Sequence, residues 1–235
     1  MKKRLKINGI IMVCAGIGVI FFPKFFLRSY SGGLGGKGLE ILGLALILLG
    51  QIIRVSARGY KAENSQDSRA LIQGGPYQVV RNPMYLGIFL IGLGVVLVAF
   101  KWWAAVIFII VFIIRYILLI YKEEKKLLLM FPDTYLEYCR EVPRIFPSLP
   151  RMIELDIIEY LPLKIIWFKK EIGSVFSLLL LVLLVASWRG ISQVGFTVYL
   201  RQSVWLLMTF ALFIILVILL SRRMRQKNEP SSNKS

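Results

Sequence analysis

Apolar and polar stretches alternate along this chain on the length scale of a lipid bilayer. Apolar runs lie at about Ile7–Phe22, Leu39–Val55, Met84–Phe100, Trp102–Tyr121, Gly173–Trp188 and Val204–Leu220. Each approaches the ~20 residues a helix needs to cross about 30 Å of hydrocarbon. The pattern predicts an all-α, polytopic transmembrane helix bundle of about six membrane helices. Little more than Lys101 separates the third run from the fourth, so these two form a tight helical hairpin. Trp102, Trp103, Trp167, Trp188 and Trp205 fall at predicted helix ends, where indole rings anchor in the interface.

The basic start, Met1–Lys6, followed by an apolar run has the outline of a secretory signal. No small-x-small site follows, and Phe21-Phe22-Pro23-Lys24-Phe25 is a poor peptidase substrate, so the run reads as an uncleaved first helix. Residues 151–172 intersperse Leu155, Ile157, Ile158 and Trp167 among charges, which predicts an amphipathic interfacial helix broken near Pro162. The polar tail predicts disorder. The expected organisation is an N-terminal helix pair (1–60), a core (61–150), the amphipathic linker with a further helix pair (151–222) and a polar tail (223–235).

Composition agrees. Hydrophobic residues make up 57% of the 235 residues, and mean hydropathy is +0.69. That is more apolar surface than one water-soluble core of this size can cover. The net charge of +17 could suit nucleic acid, but the cations sit between apolar runs, where they orient membrane helices. With six crossings, 24 of the 30 Lys and Arg fall on one side, together with every acid except Glu40. The positive-inside rule makes that side cytoplasmic, with both termini there. The partners expected are lipid bilayer and no nucleic acid. Histidine is absent, which removes imidazole acid–base chemistry and His-based metal sites, and no metal is expected. Cys14 lies in an apolar run and Cys139 in a charged one, so no disulfide framework is expected.

Two glycine patterns point to structure. Gly33-Leu34-Gly35-Gly36-Lys37-Gly38 matches a dinucleotide fingerprint by letter, but no strand precedes it and a membrane helix follows. Gly43, Gly50, Gly87, Gly92 and Gly94 lie inside apolar helices, where small residues let backbones approach.

The chemistry concentrates between Gln73 and Pro147. Gly74-Gly75-Pro76-Tyr77 and Arg81-Asn82-Pro83-Met84-Tyr85-Leu86-Gly87 lead into the hairpin; Glu123-Glu124 leave it. Two crossings return the chain to the same face, so Arg81 and Tyr85 should lie near Glu123 and Glu124. Gly74 and Gly75 allow close backbone approach, and the prolines fix the loops. Such a set can clasp a zwitterion: Arg for a carboxylate, Glu for an ammonium, a sulfonium or ribose hydroxyls. Arg115, within the fourth helix, is either a functional intramembrane charge or a snorkelling one.

This stretch resembles the membrane methyltransferases that include isoprenylcysteine carboxyl methyltransferase and the phospholipid N-methyltransferases. The resemblance rests on Gly75-Pro76-Tyr77, on Arg81 through Gly87, on Glu123-Glu124, on Phe131, Tyr135 and Tyr138, and on Val142-Pro143-Arg144-Ile145-Phe146-Pro147. Asn82 stands where the family has His, and Pro132 where it has Gly.

The resemblance implies S-adenosyl-L-methionine as cofactor under a C-terminal cytoplasmic cap, and a hydrophobic or lipid-like methyl acceptor arriving from the bilayer. It implies cofactor binding by Gln73, Gly74, Gly75, Pro76, Tyr77, Arg81, Asn82, Pro83, Tyr85, Gly87, Glu123, Glu124, Tyr135 and Tyr138. Among these, Arg81, Asn82 and Glu124 are the catalytic candidates. The alternatives are an NADPH-dependent membrane reductase of the sterol-reductase type, whose hairpin exit lacks the Glu-Glu, and a non-enzymatic scaffold with a decayed motif.

Overall fold

The computed structural model of the chain describes residues 21–29, 34–65, 71–146 and 161–198, with isolated positions between 204 and 219. Among these, every regular element is helical: α1 (Pro23–Phe26), α2 (Leu34–Asn64), α3 (Pro76–Val79), α4 (Pro83–Ala99), α5 (Trp102–Met130), α6 (Pro132–Glu141) and α7 (Ile165–Val194). Three helices, α2, α5 and α7, are long and apolar enough to cross a membrane, and α4 is a shorter apolar helix beside them. The protein is an all-α membrane helix bundle. Most of the predicted first and sixth runs lie outside the described residues, as do the tail, residues 147–160 and Trp205.

The predicted second, third and fourth runs are α2, α4 and α5, but two of them overrun their apolar stretches. At 1.5 Å per residue, the 29 residues of α5 extend about 43 Å, longer than the hydrocarbon core. A polar turn, Lys122–Lys126, follows its apolar stretch and carries Glu123 and Glu124 past the membrane on a rigid element. The 31-residue α2 does the same with Arg54, Arg58 and Lys61. Lys101 caps the start of α5, as the hairpin requires. The turn is held from outside by Arg28 N–H donating to Ala99 O (3.0 Å) and Lys101 N–H donating to Phe26 O (3.1 Å).

The closest packing is between α2 and α4. A Cβ on Gly43 would stand 2.8 Å from Gly94 O, and one on Gly50 would stand 2.6 Å from Gly87 O. Reciprocally, a Cβ on Gly87 would stand 2.7 Å from Gly50 O. The two contacts are seven residues apart on each helix, so they recur on one face of an antiparallel pair. Gly92 has a different neighbour, the Phe108 ring of α5. Arg115 is exposed on α5 beside exposed Ile114, Ile117 and Leu118, on the side away from the bundle.

The charged stretch after Pro162 and the fifth apolar run belong to one helix: α7 runs unbroken from Ile165 through Gly173 to Val194. Its charged first turns and apolar body form one helix because no proline falls between Ile165 and Val194 to remove a backbone donor. Trp188 therefore sits inside α7, not at its end.

α7 packs into the bundle. Val182 joins Leu44, Ile47 and Val98 in one buried cluster, with Leu178 and Val95 against it. Polar contacts tie both ends of α7. At one end Arg54 donates to Ser174 Oγ (2.6 Å) and pairs with Glu171 (3.1 Å), while Ser56 donates to Pro162 O (2.8 Å). At the other end buried Arg189 reaches Val98 O and Glu40.

Candidate active site

The site is built where α2, α4 and α5 emerge at their charge-rich ends. Gly75 adopts φ +59, a left-handed conformation that glycine takes without steric cost, and starts the one-turn helix α3 with Pro76 in its first turn. A side chain on Gly74 or Gly75 would collide with Tyr60, whose ring closes over this turn. Pro83 opens α4 in the same way after Asn82. These constraints aim Tyr77, Arg81 and Tyr85 toward the end of α5.

Across from them α6 begins at Pro132. Proline suits this first helical position because its fixed φ is helical and its missing N–H would have had no intrahelical partner. That accounts for the departure from glycine. Tyr135, Tyr138 and Val142 form a small buried core with Leu71, Leu127 and Phe131 against it. Tyr138 donates its hydroxyl to Tyr77 O (2.6 Å), and Arg81 N–H donates to Pro143 O (2.9 Å). Asn82 Nδ2 donates to Arg144 O (3.1 Å). The segment from Phe131 to Phe146 is thus stitched onto the loop that precedes the hairpin.

Glu124 sits at the centre. Its side chain is largely buried; Arg144 Nη2 lies 2.8 Å from one oxygen and Arg81 Nη1 3.5 Å from the other. Arg81 also contacts Cys139 Sγ, while its Nε is buried without a hydrogen-bond partner among the described residues. Glu123 differs from its neighbour. It is exposed, and Tyr85 donates its hydroxyl to Glu123 Oε1 (2.7 Å). Burial pushes the Tyr77, Tyr135 and Tyr138 phenols above their ordinary range, with smaller contributions from Glu123 at Tyr77, Glu124 at Tyr135 and Tyr135 at Tyr138. All three remain hydrogen-bond donors at neutral pH.

These groups enclose a cleft of about 320 Å³. Of the residues expected from sequence, Tyr77, Arg81, Asn82, Pro83, Tyr85, Glu123, Glu124, Tyr135 and Tyr138 line it. Gln73, Gly74, Gly75, Pro76 and Gly87 do not. The two loop glycines make room for Tyr60, and Gly87 makes room for α2, so their small size serves packing. The apolar wall of Leu71, Leu127, Met130 and Phe131 was not among the residues expected from sequence; nor was Arg144, which is not part of the lining but pairs with Glu124. The sequence reading also missed Lys61 at the rim, which only the overrun of α2 brings there.

An aromatic row leads from the cleft into the bundle. Tyr85 meets Tyr116 at 5.3 Å between ring centroids; Tyr116 stacks on Phe112 at 4.0 Å; Phe112 meets Phe89 at 5.0 Å. Among the described residues no group of three or more His, Cys, Asp or Glu could hold a metal ion.

No curated protein and no solved structure matches the chain. A family model described as phospholipid methyltransferase matches residues 39–134. The match starts in α2, takes in the α4–α5 hairpin and ends as α6 begins. It therefore covers the loop, Arg81, Tyr85 and the Glu123–Glu124 pair, and stops short of Tyr135, Tyr138 and Arg144. The stretch that supplies the cleft's Arg81 and Lys61, its two carboxylates and its helical hairpin is a match to the family of phospholipid methyltransferases.

Proposed function

We propose that the protein is an integral membrane methyltransferase that uses S-adenosyl-L-methionine and acts on a hydrophobic or lipid-linked acceptor. The observation that carries this reading is the cleft itself: a guanidinium, an exposed carboxylate and aromatic walls meet in one small cavity, lined by the matched segment together with Tyr135 and Tyr138. The volume is at the lower end for small-molecule sites, which run from about 300 to 1,000 Å³.

The residues fit the cofactor's chemistry. Arg81 lines the cleft, and its guanidinium suits a carboxylate. Glu123 suits an ammonium or ribose hydroxyls, and Tyr85 orients it. Leu71, Leu127 and Phe131 offer apolar surface for a base. When bound, the cofactor supplies an electrophilic methyl on a sulfonium. The chain's own part is then positioning and exclusion of water. Because the sulfonium loses its charge in the transition state, Glu123 serves binding more than acceleration. Glu124 and Asn82, expected as catalytic residues, are positioning residues on this account: Glu124 holds Arg81 and Arg144, and Asn82 holds the cap.

The aromatic row from Tyr85 toward Phe89 supports an acceptor with an apolar body reaching the cleft from the membrane. The sidedness of Lys and Arg supports a cytoplasmic cleft with both termini on that side. On this reading residues 61–150 form the methyltransferase core, with 1–60 and 151–222 as flanking membrane segments and 223–235 as tail. The Glu123–Glu124 pair weighs against the reductase alternative.

The test is transfer of labelled methyl from S-adenosyl-L-methionine into the lipid or lipid-linked fraction of membranes holding the protein. The reading expects label above background with the wild type and background with Arg81→Ala. Equal labelling by both would contradict it.

A further inference from the structure

A second cavity, of about 630 Å³, opens between α2 and α7 at the same end of the bundle. It lies on another face of α2: Arg58 and Glu63 border this cavity, whereas Lys61 borders the cleft. Its floor is Trp167, which is 5% exposed and seated against Gly59, where no Cβ would fit. Lys164 Nζ lies 5.4 Å from the Trp167 ring centroid. The two carboxylates here are already engaged. Glu171 pairs with Arg54 at 3.1 Å and Arg58 at 2.9 Å, and Glu63 pairs with Lys164. Lys170 has no ion-pair partner among the described residues.

We propose that this cavity holds the phosphate of an anionic membrane lipid. The cations approach from two helices, Arg58 from α2 and Lys164 and Lys170 from α7, and they outnumber the acids. A phosphate is a multiply hydrogen-bonding anion suited to such a convergence. Basic pockets between membrane helices are sites for anionic headgroups. The lipid source follows from the surroundings. The indole of Trp167 marks interfacial depth, and Ile165, Ile166 and Ile172 are exposed on α7 beside the cavity, where acyl chains would lie. The site is independent of the methyl-transfer reading and uses none of the cleft's residues.

The experiment is thermal unfolding of the full-length protein in detergent, titrated with phosphatidylglycerol, phosphatidylcholine or inorganic phosphate. Phosphatidylglycerol should raise the midpoint saturably, and the other two should not. The double variant Lys164→Gln/Lys170→Gln should bind phosphatidylglycerol about thirtyfold more weakly, the effect of two interfacial cations. Lys164→Arg/Lys170→Arg should keep the shift, which separates charge from folding. Equal shifts by both lipids, an undiminished shift in the glutamine pair, or loss in the arginine pair would overturn the proposal. The same shift with inorganic phosphate alone would assign a free anion and overturn the lipid.

Discussion

Arg144 Nη2 stands 2.8 Å from Glu124 Oε2, joining the segment after α6 to the last turns of α5. The same carboxylate faces Arg81 from the loop before α4 at 3.5 Å. One buried acid therefore fixes three pieces of chain that are distant in sequence. With Asn82 donating to Arg144 O, it latches the cap over the cleft.

Glu124→Gln should remove both ion pairs and leave Arg81 without its charge partner. The expected destabilisation is about 2 kcal/mol, below the usual range for a broken buried pair because Arg144 is half exposed. Arg144→Gln should cost less than about 1 kcal/mol. Detergent unfolding curves give both values, and limited proteolysis between residues 131 and 146 should quicken in Glu124→Gln. Unchanged stability and cleavage would show that the latch is not held by this acid.

Tyr85→Phe and Glu123→Gln test the open side of the cleft. Each should weaken S-adenosyl-L-methionine binding by roughly five- to tenfold, the worth of about 1 kcal/mol. The double variant should lose no more than the larger single effect, because the tyrosine acts through the carboxylate. Additive losses would mean that the two act separately.

The glycines divide into two groups. Gly50→Ala and Gly87→Ala each force a methyl into the facing helix backbone, and should destabilise the bundle by about 1–3 kcal/mol. Gly38→Ala and Gly173→Ala meet nothing within 4 Å and should be neutral or mildly stabilising. Thermal midpoints of the four variants in one detergent check this; equal effects would contradict the packing.

This contrast shows what could be read from sequence. Apolar run length gave α2, α4 and α5, and an even number of crossings put Arg81 beside Glu123 and Glu124. Helix overrun was not visible, because hydropathy marks where the membrane ends and not where the backbone hydrogen-bond ladder ends. For that reason α7 appeared as two elements and Lys61 was missed. Composition alone also could not separate Glu123 from Glu124. Which neighbour is exposed and which is buried depends on the helix face, and that is set by where Arg144 returns.

Stability should fall in alkali. Burial raises the Tyr77, Tyr135 and Tyr138 phenols above 10.0, their ordinary value, so the folded state holds protons that the unfolded chain releases. Their contribution is whole below pH 10 and is lost progressively as pH rises through the raised folded-state values. Unfolding midpoints taken from pH 8 to 11, with phenolate absorbance followed in parallel, should show stability dropping above pH 10 while some tyrosines titrate late. Flat stability, with all tyrosines titrating together, would contradict the buried network.

Calorimetric titration of the purified wild type with S-adenosyl-L-methionine, beside Glu123→Gln, tests the central claim most directly. The account predicts saturable binding to the wild type and markedly weaker binding to the variant, with both proteins folded. A folded wild type that binds no cofactor, or a variant that binds as tightly as the wild type, would contradict it.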